Sequence, residues 1–145
     1  MKAFKCGKCN CPHQIDDSLI QKTVVLVSCV ECGASNTLRF GPVVIIQSKS
    51  GVQKFNLKIG VNKLGRKTNG AKLDLGIEDN YVSRNHAEIL LEKKDNKYFI
   101  FIKDVGSANG TFSRGKNKLK SNLAYAFTKN DYFIVGLTKV SLQRV

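Results

Sequence analysis

The stretch that decides the fold runs from Val82 to Thr111 and reads VSRNHAEILLEKKDNKYFIFIKDVGSANGT. Two apolar runs inside it, Ile89–Leu91 and Tyr98–Ile102, flank the polar residues Lys94–Asn96, a pattern that predicts a β-hairpin. Short apolar runs separated by turn residues continue on both sides, and no segment has a convincing helical period. The sequence therefore predicts a mainly β fold, a sandwich of short antiparallel strands.

Two further patterns outside this stretch predict strands. From Phe55 to Ile59, apolar residues alternate with polar ones, which is typical of a half-buried strand. Tyr132–Val135 and Lys139–Val145 predict a second hairpin, with Gly136 in the turn between them.

The cysteines divide the chain into two regions of different composition. All five lie in the first forty residues of a 145-residue chain. A unit of that size usually needs a metal or disulfides, whereas the remaining hundred or so residues can bury a core of their own. We therefore expect two domains, residues 1–41 and residues 42–145.

The N-terminus and the aliphatic runs bear on where the protein works. The N-terminal residues are interrupted by lysines and contain no apolar h-region, so they do not form a signal peptide. Aliphatic runs such as Val24–Val27 and Val43–Ile46 are far too short to span a bilayer. We expect a cytoplasmic protein that has no membrane partner.

Four of the cysteines form two Cys-x2-Cys pairs separated by nineteen residues. A two-residue gap lets the chain turn tightly over a metal, so two such pairs can present four thiolates in a tetrahedron. In a reducing compartment this pattern favours one structural Zn²⁺ over two disulfides. Strands are expected at Lys22–Ser28 and Asn36–Phe40. The expected metal ligands are Cys6, Cys9, Cys29 and Cys32.

The fifth cysteine, Cys11, lies two residues after Cys9, a spacing that suits a strand better than a metal-binding turn, and we expect a free thiol. His13 is a possible substitute ligand, although a lone histidine is more often a surface residue. Residues 4–40 resemble the short zinc-ribbon domains at the N-termini of many prokaryotic proteins. That resemblance implies metal binding and leaves two roles for the ribbon open, structural stapling and docking of a partner.

Three separated segments in the larger region carry residues suited to phosphate binding: Leu64–Arg66, Val82–Ala87 and Asp104–Thr111. A phosphothreonine (pThr) carries nearly two negative charges and three strong acceptor oxygens. Its recognition calls for a planar guanidinium, short hydroxyl donors and free backbone amides on the loops of a rigid scaffold.

The three segments supply a guanidinium, a hydroxyl with a second cation, and a side-chain amide. Arg66 has the forked guanidinium that can bridge two phosphate oxygens. Ser83 offers a compact hydroxyl donor, and Arg84 offers a second cation. Asn109 carries an amide that can both donate to and accept from the backbone of an extended peptide.

The order, spacing and strand-end placement of the three segments resemble those of the forkhead-associated (FHA) domain, and the resemblance runs from about Phe55 to Val145. It implies a β-sandwich that binds pThr-containing proteins or peptides, components of Ser/Thr-kinase pathways, and that binds phosphoserine more weakly. By motif position it implies phosphopeptide contacts from Arg66, Ser83, Arg84, Ser107 and Asn109, and loop-structuring roles for Gly65, His86 and Gly110.

The sequence departs from the FHA pattern at Ala108, where many members have threonine. This change removes a hydroxyl that often lies at the binding rim. We expect either that Ser107 compensates or that affinity falls, while phosphate binding persists because its main determinants lie on the other two loops.

The net charge of +13 is concentrated in the larger region, where residues 41–145 carry nineteen Lys or Arg and eight acids, a net +11. Such a field suits an anionic partner. Four of the basic residues fall on even positions, so within one strand they would share a face, as a solvated surface or as an electrostatic rim. These residues are Arg114, Lys116, Lys118 and Lys120.

Three classes of function follow from these observations. The first is a pThr-dependent adaptor in Ser/Thr-kinase signalling, with the zinc ribbon as a second interaction surface. The alternative is a basic zinc-ribbon nucleic-acid-binding protein whose FHA-like domain is regulatory. An enzyme is not expected, because the sequence has no paired carboxylates, no acid–histidine–nucleophile set and no Gly-rich nucleotide loop.

Overall fold

The computed structural model describes residues 2–16, 23–70 and 72–144; Lys22 and Val145, the ends of two predicted strands, lie outside this part. The chain divides into two compact units, Met1–Phe40 and Gly41–Val145. The described residues form strands and turns and include no helix, which confirms the predicted mainly β fold. They accordingly contain no helix long and apolar enough to cross a membrane.

The first unit consists of two antiparallel hairpins, and each hairpin turn carries one Cys-x2-Cys pair. The strands are β1 (Lys2–Lys5), β2 (Pro12–Ile15), β3 (Val24–Ser28) and β4 (Ser35–Arg39). Among the described residues of this unit only Cys6, Thr23 and Cys29 are buried. Two of the three buried side chains are therefore cysteines, so the unit has almost no apolar core apart from the cysteine cluster.

The second unit is a sandwich of two sheets. Its strands are β5 (Val43–Ser48), β6 (Gly51–Asn56), β7 (Gly60–Arg66), β8 (Leu75–Ile77), β9 (Ala87–Lys94), β10 (Lys97–Asp104), β11 (Thr111–Ser113), β12 (Asn117–Lys118), β13 (Tyr125–Ala126), β14 (Tyr132–Val135) and β15 (Thr138–Arg144). One sheet has the order β13-β10-β9-β7-β8 and the other β12-β11-β14-β15-β5-β6. β7 and β8 pair in parallel, and the other described pairs are antiparallel.

Alternation along the strands builds the core of this sandwich. Buried residues alternate with more exposed ones along most of β5, β9, β10 and β14, so each sheet turns one apolar face towards the other. The buried side chains form one cluster, made of Val44, Ile46, Leu57, Leu64, Leu75, Ile77, Val82, Ala87, Ile89, Leu91, Ile100, Ile102, Leu119, Phe127, Phe133, Val135, Val140 and Leu142.

Both predicted hairpins are confirmed. β9 and β10 are joined by Asp95 and Asn96, whose φ angles of 51° and 63° suit a two-residue turn that follows the twist of the strands. β14 and β15 are joined by Gly136 and Leu137, and Gly136 has a φ of 59°.

The strand predicted from Phe55 to Ile59 is wrong in its second half. β6 ends at Asn56, and the next three residues form a turn before β7. The buried side chain of Asn62 holds this turn, since it accepts from the Lys58 N–H at 3.0 Å and donates to the Lys58 carbonyl at 2.9 Å. Leu57 is fully buried, so the apolar alternation reflects one anchoring residue in a turn rather than a strand.

The basic run from Arg114 to Lys120 also differs from the prediction. β11 ends at Ser113 and β12 contains only Asn117 and Lys118, so the four basic residues do not lie in one strand. Arg114 is in the turn with a φ of 53°, and its guanidinium lies 3.8 Å from the carboxylate of Asp131.

Candidate functional site

The three predicted phosphate-binding segments lie on neighbouring loops that hydrogen bonds hold together. The N–H of Arg66, at the end of β7, donates to the carbonyl of Ser83 at 2.9 Å. The N–H of Ala108 in the β10–β11 loop donates to the Ser83 hydroxyl oxygen at 2.9 Å. Ser83 therefore joins all three loops, and because its O–H donates to no group among the described residues, it can donate to a bound anion.

Gly65 allows the closest of these approaches. A Cβ atom at this position would lie 1.9 Å from the carbonyl oxygen of Arg84 and 2.8 Å from its carbonyl carbon. No side chain fits there, so only glycine lets β7 pass directly against the segment that carries Ser83 and Arg84.

The two predicted arginines differ in their surroundings. Arg66 is half-buried, and its guanidinium makes one long contact of 3.5 Å to the carbonyl of Asn80. Arg84 is exposed and takes part in no ion pair within the described residues. Both guanidiniums can therefore donate to an incoming anion without first breaking a short ion pair.

The amide of Asn109 lies on the same side of the loops. Its Nδ2 donates to the carbonyl of Tyr81 at 2.9 Å, across 28 positions in sequence. This bond links the β10–β11 loop to the β8–β9 loop and fixes the direction of the side chain.

Ser107 is placed differently from the predicted phosphopeptide contact. Its hydroxyl donates to Asp104 Oδ2 at 2.5 Å and accepts from the Gly110 N–H at 3.0 Å. Because a hydroxyl has one proton to donate, this one cannot also donate to a phosphate in the observed arrangement. In this arrangement the Ser107 hydroxyl bonds within its own loop.

His86 lies at the centre of the loops and is fully buried. Its Nδ1 accepts from the Ser83 N–H at 3.0 Å, so Nε2 carries the proton and donates to the Gly110 carbonyl at 2.9 Å. Burial lowers the pKa of His86 below its ordinary value, which agrees with a neutral ring. One side chain thus connects the loop of Ser83 to the loop of Asn109.

Asp104 is a buried carboxylate whose role the sequence did not reveal. Besides Ser107, it accepts from the Gly106 N–H at 2.8 Å and from the Thr111 hydroxyl at 2.8 Å. Burial by itself would raise the pKa of Asp104, but hydrogen bonds from Ser107, Thr111 and Gly106 lower it below the ordinary range. A carboxylate with these donors fixes the β10–β11 loop from inside.

Asp79 plays a similar part at the β14–β15 turn and was also missed. It accepts from the Tyr81 N–H, the Leu137 N–H and the Thr138 hydroxyl, each at 2.8 Å. A Cβ atom on Gly136 would lie 2.9 Å from this carboxylate. The only available signal was an aspartate two residues before Tyr81, a spacing that favours an Asx-turn.

A groove of about 440 Å³ opens beside Arg66. Its lining contains the basic residues Lys49 and Lys67 and the acidic residues Glu78 and Asp79. Tyr81 and Leu137 contribute exposed apolar surface, 58% and 69% accessible. The groove can therefore receive a side chain of a peptide whose phosphate lies at Arg66.

The four predicted metal ligands are brought together in the first unit. The sulfur atoms of Cys6, Cys9, Cys29 and Cys32 all lie within 4.8 Å of one another. Two of the sulfur–sulfur distances, between Cys6 and Cys32 and between Cys9 and Cys29, are 3.6 Å. Four sulfurs around one Zn²⁺ would be about 3.8 Å apart, because Zn–S bonds are about 2.3 Å and the geometry is tetrahedral. The donor set therefore fits a closed zinc site.

The two cysteine turns have the same backbone geometry. In the first, the N–H of Cys6 bonds the carbonyl of Cys11, and the N–H of Asn10 bonds the carbonyl of Cys6. In the second, the N–H of Cys29 bonds the carbonyl of Ala34, and the N–H of Gly33 bonds the carbonyl of Cys29. Asn10 and Gly33 both have positive φ angles, 63° and 75°. Cys11 therefore corresponds to Ala34, which is outside the cluster.

A side chain from the strand after each turn contacts the first cysteine of the other turn. His13, seven residues after Cys6, has its Nε2 at 3.2 Å from the Cys29 sulfur. Asn36, seven residues after Cys29, directs its Nδ2 to the Cys6 sulfur at 3.6 Å. The structure thus gives His13 a supporting contact with a thiol rather than a place in the four-sulfur cluster.

Backbone N–H groups prepare one thiol in each turn for metal binding. Hydrogen bonding from the Cys9 backbone lowers the pKa of Cys6 to about 5, and hydrogen bonding from the Cys32 backbone lowers the pKa of Cys29. The backbone of Cys11 lowers the pKa of Cys9, but burial and the neighbouring cysteines outweigh this and raise it to about 12. Four thiolates this close together need a cation to balance their charge.

The family model for the FHA domain matches residues 62–136, just over half of the chain. This range contains the Arg66, Ser83 and Asn109 loops described above. Among proteins with curated descriptions, none matches the chain.

Several solved FHA domains have a similar structure. The FHA domain of FhaA, solved in complex with the intracellular domain of Rv3910, is 20% identical, with a TM-score of 0.58 over 71% of this chain and 100% of that chain. An FHA domain from a study of phosphothreonine-dependent FHA domain interactions is 22% identical, with a TM-score of 0.58 over 72% and 98%. The FHA domain of CT664 from Chlamydia trachomatis is 24% identical, with a TM-score of 0.57 over 70% and 96%. At these identities the likeness shows a shared fold.

Proposed function

The chain belongs to the FHA-domain family, and from that premise we propose that it is a phosphothreonine-dependent adaptor that binds a phosphorylated protein or peptide. The observation that carries this proposal is the hydrogen-bonded junction at Ser83, which brings Arg66 and the Asn109 loop to one place. Related FHA domains support it: one was studied for phosphothreonine-dependent interactions, and another was solved with the intracellular domain of a partner protein.

The proposed binding step follows from the chemistry of the four groups. The guanidinium of Arg66 donates to two phosphate oxygens, and the Ser83 O–H donates to the third oxygen of the same phosphate. Arg84, which is exposed, adds a second positive charge. Asn109 binds the peptide backbone. To do so, its side-chain amide gives up the hydrogen bond to the Tyr81 carbonyl and bonds backbone groups of the ligand instead.

In this proposal, Ser107 contributes to the shape of the loop and not to the phosphate contact. Its proton is directed to Asp104, and Ala108 offers no hydroxyl. Phosphate binding therefore depends on Arg66, Ser83 and Arg84.

For the first unit we propose a zinc ribbon over residues 1–41, with one structural Zn²⁺ bound by the four clustered cysteines and the FHA domain following over residues 42–145. Zinc would supply the charge balance and the cross-link that the two hairpins lack, since cysteines are two of the three buried residues described there. Metal analysis of the purified protein should find about one equivalent of zinc. Loss of that zinc in a Cys29→Ser variant is expected, and a folded, metal-free first unit would contradict the proposal.

We further propose that the protein acts in the cytoplasm of a prokaryote, in a Ser/Thr-kinase pathway, without catalytic activity of its own. The ribbon would provide a second interaction surface. The cysteine pattern supports a reducing compartment such as the cytoplasm. The absence of a catalytic constellation in the sequence supports a role without catalysis.

The experiment that tests the adaptor function is a screen of the purified protein against a pThr peptide library and the same library without phosphate. Selective capture of pThr peptides, with a defined residue preference near the pThr, is the expected result. Equal capture from both libraries would refute the proposal.

A further inference from the structure

The outer face of the six-stranded sheet has an unusual composition. Strand alternation and register place two rows of residues on this face. One row contains Lys118, Phe112, Ile134, Lys139, Gln47 and Val52, and the next contains Tyr132, Ser141, Ile45 and Lys54. We call these residues the lysine face.

The lysine face has positive charge with no acid to balance it. The strands of this sheet, all within the described residues, contain no Asp or Glu. In the other sheet, by contrast, Glu88 pairs with Lys103 at 3.3 Å on the outer face. Lys54, Lys118 and Lys139 take part in no ion pair within the described part of the chain. An ion pair therefore offsets part of the outer charge of the other sheet, whereas none involves the three lysines of the lysine face.

Partly covered apolar residues lie among the charges of the lysine face, where Lys139 is on the central strand β15 and Lys118 and Lys54 are on the edge strands β12 and β6. Phe112 and Ile45 are half-buried, Ile134 lies directly opposite Phe112 in the sheet, and Val52 is 60% exposed. A protein–protein interface also combines apolar side chains with charged ones, so this composition suits a protein partner.

The same face is poorly suited to stacking nucleic-acid bases. The ring of Tyr132 is covered by the ammonium of Lys139, 4.6 Å from its centroid, and its hydroxyl donates to the Arg114 carbonyl at 3.3 Å. Of the other residues on the face only Phe112 is aromatic, and it is half-buried; the aliphatic side chains of Ile45, Ile134 and Val52 provide no π-surface on which bases stack.

The lysine face is continuous with the phosphopeptide loops. The side chain of Lys118 lies across Gly110, since a Cβ atom at Gly110 would come within 2.7 Å of Lys118 Cε. Gly110 directly follows Asn109 and bonds His86 through its carbonyl. From β11 to β6 the sheet crosses four strand intervals, about 19 Å, which an extended peptide of about six residues would span.

We propose that the lysine face binds an acidic surface of the same protein that presents the pThr, so that the interface extends from the loops onto the sheet. This inference rests on the proposed pThr function. The partner is identified by its chemistry: carboxylates to meet the unpaired lysines and apolar side chains to cover Phe112, Ile45 and Val52. Complementary charge of this kind raises association rates and selects among phosphorylated partners.

The test uses the pThr peptide selected by the library screen as a core, and three extended versions of it. Two carry eight alternating Glu and Val residues, at the N-terminal or the C-terminal end, and the third carries Gln and Val as a neutral control. Binding to the whole protein is measured at low and high salt. We expect one Glu–Val peptide to bind about tenfold more tightly than the core at low salt, with no gain for the Gln–Val peptide.

Variants of the protein test whether the lysine face causes this gain in affinity. Lys54→Glu with Lys139→Glu should abolish the advantage of the Glu–Val peptide and leave affinity for the core within about threefold. Lys94→Glu with Lys97→Glu makes the same charge change on the hairpin of the other sheet and should keep the advantage. Lys54→Gln with Lys139→Gln serves as the milder variant if charge reversal impairs folding. An equal gain in all variants, or none in the wild type, overturns the inference.

Two outcomes separate this inference from the pThr function. If the core peptide does not bind, the pThr function fails, and the lysine face is then tested with the free Glu–Val peptide through amide NMR shifts along β5 and β14. Absence of such shifts would overturn the inference as well. Binding of oligo(dT) that is lost in the Lys54→Glu, Lys139→Glu variant, without a gain from Glu–Val extensions, would contradict the acidic-protein inference and assign the face to nucleic acid.

Discussion

Replacing His86 with alanine removes a buried side chain that bonds both the Ser83 loop and the Asn109 loop. In the native protein its ring accepts from the Ser83 N–H at 3.0 Å and donates to the Gly110 carbonyl at 2.9 Å. The residue is fully buried, so water does not replace these bonds without rearrangement. The substitution therefore leaves two backbone groups without partners and empties the space of an imidazole.

The magnitude follows from those two groups. An unsatisfied buried donor or acceptor costs about 1–3 kcal/mol, so two of them lower the free energy of unfolding by about 2–6 kcal/mol. His86→Asn should cost about half as much, because its Oδ1 can accept from Ser83 while the Gly110 carbonyl loses its donor. We expect both variants to bind a pThr peptide more weakly, with alanine the weaker of the two.

Urea unfolding followed by circular dichroism provides the assay, since the chain has no tryptophan to report by fluorescence. The transition of the His86→Ala variant should occur at a clearly lower urea concentration than that of the wild type, with His86→Asn between them. If the alanine variant unfolds at the wild-type urea concentration, the two hydrogen bonds do not hold the loops together as described.

The same histidine should make the free energy of unfolding depend on pH, with lower stability at acidic pH. Burial lowers the pKa of His86 in the folded state below the ordinary value of 6.5, so the unfolded chain binds the proton more readily. Above about pH 6.5 the histidine is neutral in both states, and stability does not depend on it. As the pH falls below that value, stability should fall by up to about 1.4 kcal/mol per unit. His86→Asn should lack this contribution to the pH profile.

Three further predictions concern the phosphate loops and the cysteine cluster. Gly65→Ala places a carbon 1.9 Å from a backbone oxygen and should weaken pThr-peptide binding by at least about tenfold in a titration, whereas Gly76→Ala, with its closest contact at 3.5 Å, should not. The two oxygens of Asp104 receive four hydrogen bonds; Asp104→Asn replaces one of these acceptors with an NH2 donor and should lower the free energy of unfolding by about 2–4 kcal/mol in a urea titration. His13→Ala and Asn36→Ala each remove a contact with a thiol of the other turn and should weaken zinc retention about tenfold or more, measured by competition with a chelator.

The controls for the zinc prediction lie in the same hairpins. Gln14 is exposed and neighbours His13 on β2, so Gln14→Ala should retain zinc like the wild type. Equal zinc retention in the His13, Asn36 and Gln14 variants would show that the contacts between the turns do not support the metal site.

Much of the fold was predictable because its signals are local. Period-two alternation and the turn at Asp95 and Asn96 identified the β9–β10 hairpin, and the cysteine spacing identified the four sulfurs that come together. The segment from Phe55 to Ile59 failed because one buried residue in a turn, Leu57, gives the same apolar period as a strand.

The sequence indicated the three segments that lie together on neighbouring loops, but not the bonding within them. Sequence indicates that Ser83 and Ser107 both have hydroxyls near the loops, but only the fold shows that Ser107 donates to Asp104 while Ser83 retains its proton. The roles of Asp104 and Asp79 depend on contacts across loops, since Asp79 bonds Thr138, 59 positions away. No local pattern specifies contacts at that separation.

The central claim is tested most directly by titrating the whole protein with one peptide in three forms, carrying threonine, phosphothreonine or phosphoserine, in parallel with Arg66→Ala. We expect binding of the pThr form, weaker binding of the phosphoserine form and none of the unmodified form. Arg66→Ala should lose about 2–3 kcal/mol of binding free energy, because a charge-assisted contact to the phosphate is removed. Equal affinity of the wild type and Arg66→Ala for the pThr peptide would contradict the account.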